Sequence, residues 1–117
     1  MHNIAMLPKE LVAASTRPLI LSLLTKGESY GYELIQKVRD ASKGEIEWTE
    51  GMLYPVLHRL ELDGLVSSAW KTGETARSRK YYKLTGNGMK ALKVDQERWT
   101  KVHETLTLLW NQTPTQI

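Results

Sequence analysis

The sequence predicts a mixed α+β fold that is mainly helical, and three observations carry the prediction. Three stretches with helical apolar spacing come first, two short β-like segments then bracket a basic turn, and a longer helical stretch closes the chain. With 117 residues there is room for one small core. Hydrophobic residues make up 41% and charged residues 25%, a globular balance that excludes a disordered tail.

The first helix is expected over residues 9–25. Leu11, Ala14, Leu19 and Leu23 supply a mainly apolar face, and Gly27 a stop signal. Pro18 falls inside it and has no N–H for the Ala14 carbonyl, which predicts a kink or two shorter helices. The second helix is expected over 31–42, with Ser29 as N-cap and Gly44 as terminator. Its Leu34, Ile35 and Val38 share a face, leaving Glu33, Gln36, Lys37 and Arg39 to water.

The third helix should begin near Thr49 or Glu50 and end at Asp63 and Gly64. Leu53, Val56, Leu57 and Leu60 form its buried stripe, and Tyr54, Pro55, His58 and Arg59 lie off it. Pro55 demands either a late start near Leu53 or a turn at Gly51 that absorbs the lost bond. Residues 65–70 and 79–84 read as strands. In the second, Tyr82 and Leu84 share one face, and Arg79, Tyr81 and Lys83 the other. A last helix over about 89–111 follows, ended by Thr113 and Pro114.

The net charge of +3 is modest, but its distribution is not even. Residues 71–83 hold five basic side chains (Lys71, Arg77, Arg79, Lys80, Lys83) against Glu74, a local +4 on a remainder of −1. Such a cluster is either a solvated loop or a phosphate-contacting hairpin tip. Its place between two strands, behind three helices, favours the second. That order describes a winged helix-turn-helix, in which the third helix enters the major groove and the hairpin contacts the DNA backbone or the adjacent minor groove. The expected division is a winged helix-turn-helix over 1–88 and a dimerisation helix over 89–117, in one compact unit.

Several functions are excluded by composition. Without cysteine there is no disulfide scaffold, thiolate nucleophile or sulfur-ligated zinc. His2, His58 and His103 show no metalloprotease spacing, and no glycine-rich phosphate loop is present, so neither an enzyme nor a metal or cofactor is expected. The longest apolar run, Leu19 to Leu24, is broken by Ser22 and far short of a bilayer span of about 20 residues. No secretion signal is visible at the start, and a cytoplasmic protein is the expectation.

Three motifs then resemble one family, the PadR-type transcriptional regulators. Ser29-Tyr30-Gly31-Tyr32-Glu33-Leu34 is similar to the opening of their second helix, and residues 50–66 (EGMLYPVLHRLELDGLV) to their recognition helix. Residues 79–85 (RKYYKLT) with Gly88 resemble their second wing strand. A single C-terminal helix resembles the short subfamily, which includes multidrug-sensing repressors. Met52 and His58 depart from the usual small polar and basic residues, so base preference there does not transfer.

The resemblance implies double-stranded DNA as partner, with Gly51, Met52, Tyr54, Pro55 and His58 facing the major groove. Tyr54 would touch a phosphate or a thymine methyl, or else bridge the second and third helices; His58 would donate to DNA or simply be solvated. Arg77, Arg79 and Lys80 are the expected phosphate contacts, with Lys71 at the other shoulder.

On the last helix, Leu92, Trp99 and Leu106 fall seven apart, with Val102 and Leu109 in the following positions and Asp95 interrupting the series. That seam would pair with a second copy, giving a homodimer, or pack on the chain's own first helix. Asp95 and His103 lie one turn either side of Trp99. In multidrug-type PadR regulators, the resemblance implies, such a Trp meets its symmetry mate and stacks on planar compounds. Leu11 and Ala14 would floor that site, and Asp95 would favour a cationic ligand. A Trp that merely fills the dimer core is the alternative. Trp48 is expected to cap the core, Trp70 to anchor the wing base, and Trp110 to pack near the chain end. The expected function is a dimeric repressor modulated by planar drugs. A regulator without a small-molecule ligand and a winged-helix protein-interaction module remain open beside it.

Overall fold

A computed structural model describes residues 7–72 and 77–112. Helix α1 (Lys9–Leu24) leads through the two-residue strand β1 (Ser29–Tyr30) into α2 (Gly31–Ala41) and α3 (Glu50–Leu62). Strands β2 (Val66–Thr72) and β3 (Ser78–Leu84) form the wing, and α4 (Gly86–Trp110) completes the chain. The sheet is antiparallel in the order β1-β3-β2, with Ser29 opposite Tyr82, Tyr30 opposite Tyr81 and Lys71 opposite Arg79. The α+β, mainly helical prediction is correct, and the three helices before the wing lie close to their expected bounds.

The core is where the apolar stripes converge. Ile20 and Leu21 of α1, Leu34 and Val38 of α2, and Leu53 and Leu57 of α3 are almost wholly removed from water. Val66, Tyr82 and Leu92 close it from the wing and the start of α4. Trp48 joins this cluster, as expected of a residue capping the core.

Other expectations change. Helix α1 runs unbroken through Pro18 rather than splitting in two. Ala14 lies on the exposed side, where water can take the carbonyl that Pro18 leaves free. The face α1 buries is Val12, Thr16, Ile20 and Leu24, at intervals of four, with Leu21 beside them; Leu11 and Ala14 stand off it, exposed. Pro55 likewise sits within α3, near its exposed beginning. Ser29 does not cap α2. It is buried in β1, where its hydroxyl donates to Glu33 Oε1 at 2.5 Å, and Tyr30 takes the cap position instead. Helix α4 starts at Gly86, three residues early, because Thr85 Oγ1 accepts from the Gly88 N–H at 3.0 Å and donates to the Gly64 carbonyl at 2.7 Å. A side chain at Gly88 would press on the Leu65 carbonyl and come within 2.7 Å of Leu84 Cδ1, so only glycine allows α4 to leave the wing this closely. The expected terminator at Thr113 and Pro114 lies outside the described residues, as does the wing tip at 73–76.

After Asp95, no residue of α4 is buried. The radius of gyration is 17.2 Å, against about 13 Å for a compact chain of this length, and the longest extent is 66 Å. The distal part of α4 therefore projects from the body with no buried residue of its own among the described residues.

Candidate nucleic-acid interface

Helix α3 is fixed at both ends. Thr49 Oγ1 accepts from the Met52 N–H at 3.2 Å, and Leu53, Leu57 and Leu60 pin one face into the core. The opposite face is thereby turned out, and Gly51, Met52, Tyr54, Pro55 and His58 are all exposed. The spacing puts Tyr54, Pro55, His58 and Arg59 off the buried stripe, and all four are exposed; Gly51 and Met52, which only the resemblance implies, are exposed beside them.

Tyr54 does two things at once. It is 40% exposed, yet its ring lies so close to Gly31, at the start of α2, that a Cβ there would be 2.6 Å from Cζ. A side chain at Gly31 would have to displace the tip of the Tyr54 ring, and the bridge between α2 and α3 coexists with an accessible edge. Burial raises the Tyr54 phenol above its ordinary pKa of 10.0, reinforced by the nearby Glu50 carboxylate. The hydroxyl therefore stays protonated and able to donate near neutral pH.

The wing arranges its cations differently from one another. Lys71 pairs with Glu28 and lies 5.6 Å from the Tyr81 ring centroid. Lys80 reaches Glu61 of α3 at 3.7 Å and lies over Tyr82 at 5.6 Å. Arg79 places its guanidinium carbon 4.3 Å from the Tyr30 ring centroid. Among the described residues, neither Arg77 nor Arg79 has a carboxylate partner.

These elements enclose one groove of about 730 Å³, between the start of α2, the beginning of α3 and β3. Tyr54, Arg77, Arg79 and Lys80 line it together, whereas Gly51, Met52, Pro55, His58 and Lys71 do not. Tyr30, Tyr32, Glu50 and Trp70 also line it, and sequence reasoning missed their part in it. Trp70 does not anchor the wing base: it is 68% exposed, because β2 has run past the core two residues beyond Ser68, whose hydroxyl donates to Glu61. The available signal was Tyr32, in the first turn of α2 and opposite the apolar Leu34–Ile35–Val38 face.

The residues proposed around Trp99 are only partly assembled within one protomer. Asp95 is not solvated: it is buried and accepts from Arg17 Nε at 2.9 Å, joining α4 to α1. A cavity of about 340 Å³ beside Trp99 is lined by Asp95 and by Ser15, Pro18, Leu19 and Ser22 of α1. Leu11, Ala14 and His103 are exposed and do not line it. Trp110, expected to pack near the chain end, is 71% exposed.

Residues 20–94 match the transcriptional regulator PadR-like family. The chain belongs to that family. A transcriptional regulator from Clostridium thermocellum superposes with a TM-score of 0.79 at 30% identity, covering 87% of this chain and 96% of its own. The transcriptional regulator Rv3488 of Mycobacterium tuberculosis is 35% identical over 88 residues, 75% of this chain and 78% of the relative. The transcriptional regulator YqjI of Escherichia coli is 28% identical over 88 residues, and the match spans only 41% of its length. The PadR family and these relatives are transcriptional regulators, not enzymes, and DNA binding is what the family implies. Among the described residues, no helix is long and apolar enough to cross a membrane.

Proposed function

We propose that this PadR protein is a dimeric repressor that binds a pseudopalindromic promoter site. The single observation that carries the reading is the groove in which Tyr54 of α3 meets the wing cations Arg77 and Arg79, which have no carboxylate partner among the described residues. In the proposed complex the exposed Gly51, Met52, Tyr54, Pro55 and His58 read the major groove. Arg77, Arg79 and Lys80 contact phosphates, with Lys71 beside them. One such head covers few base pairs, and two heads joined by a two-fold axis read half-sites about one helical turn apart.

The distal part of α4 supports the pairing. Val102, Leu106 and Leu109 are exposed at helical spacing, with Trp99 one turn before, and Leu11 and Ala14 of α1 are exposed as well. The working division is then a reading head up to residue 88 and a dimerisation helix beyond it. Footprinting on DNA upstream of the protein's own gene tests this: two protected half-sites on successive turns are expected, and uniform or absent protection would overturn it.

As control, the proposal takes a multidrug-type response, with planar aromatic or cationic compounds held near Trp99 at the dimer centre, between Asp95 and His103 and above Leu11 and Ala14. The cavity beside Trp99 supports it. A second reading, a repressor without a small-molecule ligand, is favoured by the Arg17–Asp95 ion pair, which already neutralises the carboxylate a cation would seek. Quenching of Trp fluorescence by a planar dye separates them. Loss of the response in Trp99→Ala but not in Trp110→Ala selects the first, and no quenching in the unaltered protein selects the second.

A further inference from the structure

Lys71 and Arg79 stand directly opposite each other on β2 and β3, an arrangement of like charges that ordinarily destabilises a strand pair. The neighbouring residues offset it in two different ways. Lys71 is neutralised by Glu28, just before β1. Arg79 has no carboxylate among the described residues and lies on the face of Tyr30 instead. Tyr30 is itself held: it pairs with Tyr81 across β1 and β3, and the two rings meet edge to face at 5.3 Å and 73°.

A guanidinium resting on an aromatic face keeps all of its N–H donors, because they point outward in its own plane. A carboxylate partner would consume two of them. Strand β1 is only two residues long, so residues 78–80 of β3 have no strand beside them on that side, and Arg79 and Tyr30 both border the open groove.

We propose that Tyr30 is the positioning residue for Arg79, holding its guanidinium by the face so that the donor edge is presented to a DNA phosphate. This rests on the DNA-binding reading above. Tyr30 itself makes no contact with the phosphate; it acts through the side chain it orients. Lys71, whose charge is spent on Glu28, contributes less than Arg79 although the two are opposite each other.

The test uses the full chain and a labelled duplex of mixed sequence, about three helical turns long, titrated across salt concentrations. Arg79→Ala should weaken binding about tenfold at low salt and reduce the salt slope by about one. Tyr30→Leu should weaken it about two- to fivefold, and Tyr30→Phe, which keeps the ring, should bind as the unaltered protein does. Combining Tyr30→Leu with Arg79→Ala should add nothing to Arg79→Ala alone. Arg79→Lys, which keeps the charge and spares the fold, should also weaken binding, because an ammonium lacks the planar donor edge. An unaffected Arg79→Ala variant would overturn the wing–phosphate reading and this inference with it. A sensitive Arg79→Ala with an unaffected Tyr30→Leu, an additive pair, or Arg79→Lys binding as the unaltered protein does would overturn the role of Tyr30 alone.

Discussion

The two ends of α4 carry the same kinds of residue and meet opposite fates. Near its start, Leu92 is 3% exposed in the core and Asp95 is paired with Arg17. Further along, Val102 is 51% and Leu109 56% exposed on a stretch of helix that none of the described residues covers. Burial of apolar area is what makes a helix of this kind stable, so the first end satisfies itself within the fold and the second does so only against another surface. The seven-residue spacing of Leu92, Trp99 and Leu106 does not distinguish these fates; the position at which the helix leaves the body does.

Substitutions can break this contrast or sharpen it. The largest effect should come from the head: Leu57→Ala, at a fully buried position, should cost about 2–5 kcal/mol in urea denaturation. Leu106→Asp, on the distal part, should leave the helical signal of the head in place while halving the mass in sedimentation. Collapse of the head in that variant would show that the two ends are not separable. At their junction, Asp95→Asn removes the ion pair to a partly exposed Arg17 and should cost about 1 kcal/mol in the same denaturation series.

A smaller loss of similar kind, about 1 kcal/mol, is expected from Thr49→Ala, which leaves the Met52 N–H uncapped at the start of α3. The smallest effect is alkaline. Tyr54 and Tyr82 both have phenols raised by burial, Tyr54 next by Glu50, and Tyr82 next by Glu61 and then Tyr54. A raised phenol favours the fold below its ordinary pKa of 10.0, and that contribution is lost as pH climbs through the folded value. Stability measured from about pH 9 upward should therefore fall, and less steeply in Tyr82→Phe.

The parts legible in the sequence were those set by local periodicity. The buried stripes of α2 and α3, the two wing strands and the outward face of α3 all follow from spacing. Strand β1 was not legible because two residues carry no period, and its partner Tyr81–Tyr82 lies about 50 positions away. The Arg17–Asp95 pair joins residues 78 apart, and nothing local in either helix announces it. Trp70 was expected at the wing base, but it lies four residues along β2 from the buried Val66, and the core ends before the strand does. In the site, the cations were visible as charge, whereas their different occupations by Glu28, Glu61 and Tyr30 are facts of the sheet register.

Two reading heads joined through α4 are what the proposed repressor requires. The most direct measurement is the mass of the complex formed on a duplex taken from upstream of the protein's own gene. Two chains per duplex are expected for the unaltered protein, with weaker, singly occupied duplex for Leu106→Asp. One chain per duplex in both, at equal affinity, would contradict it.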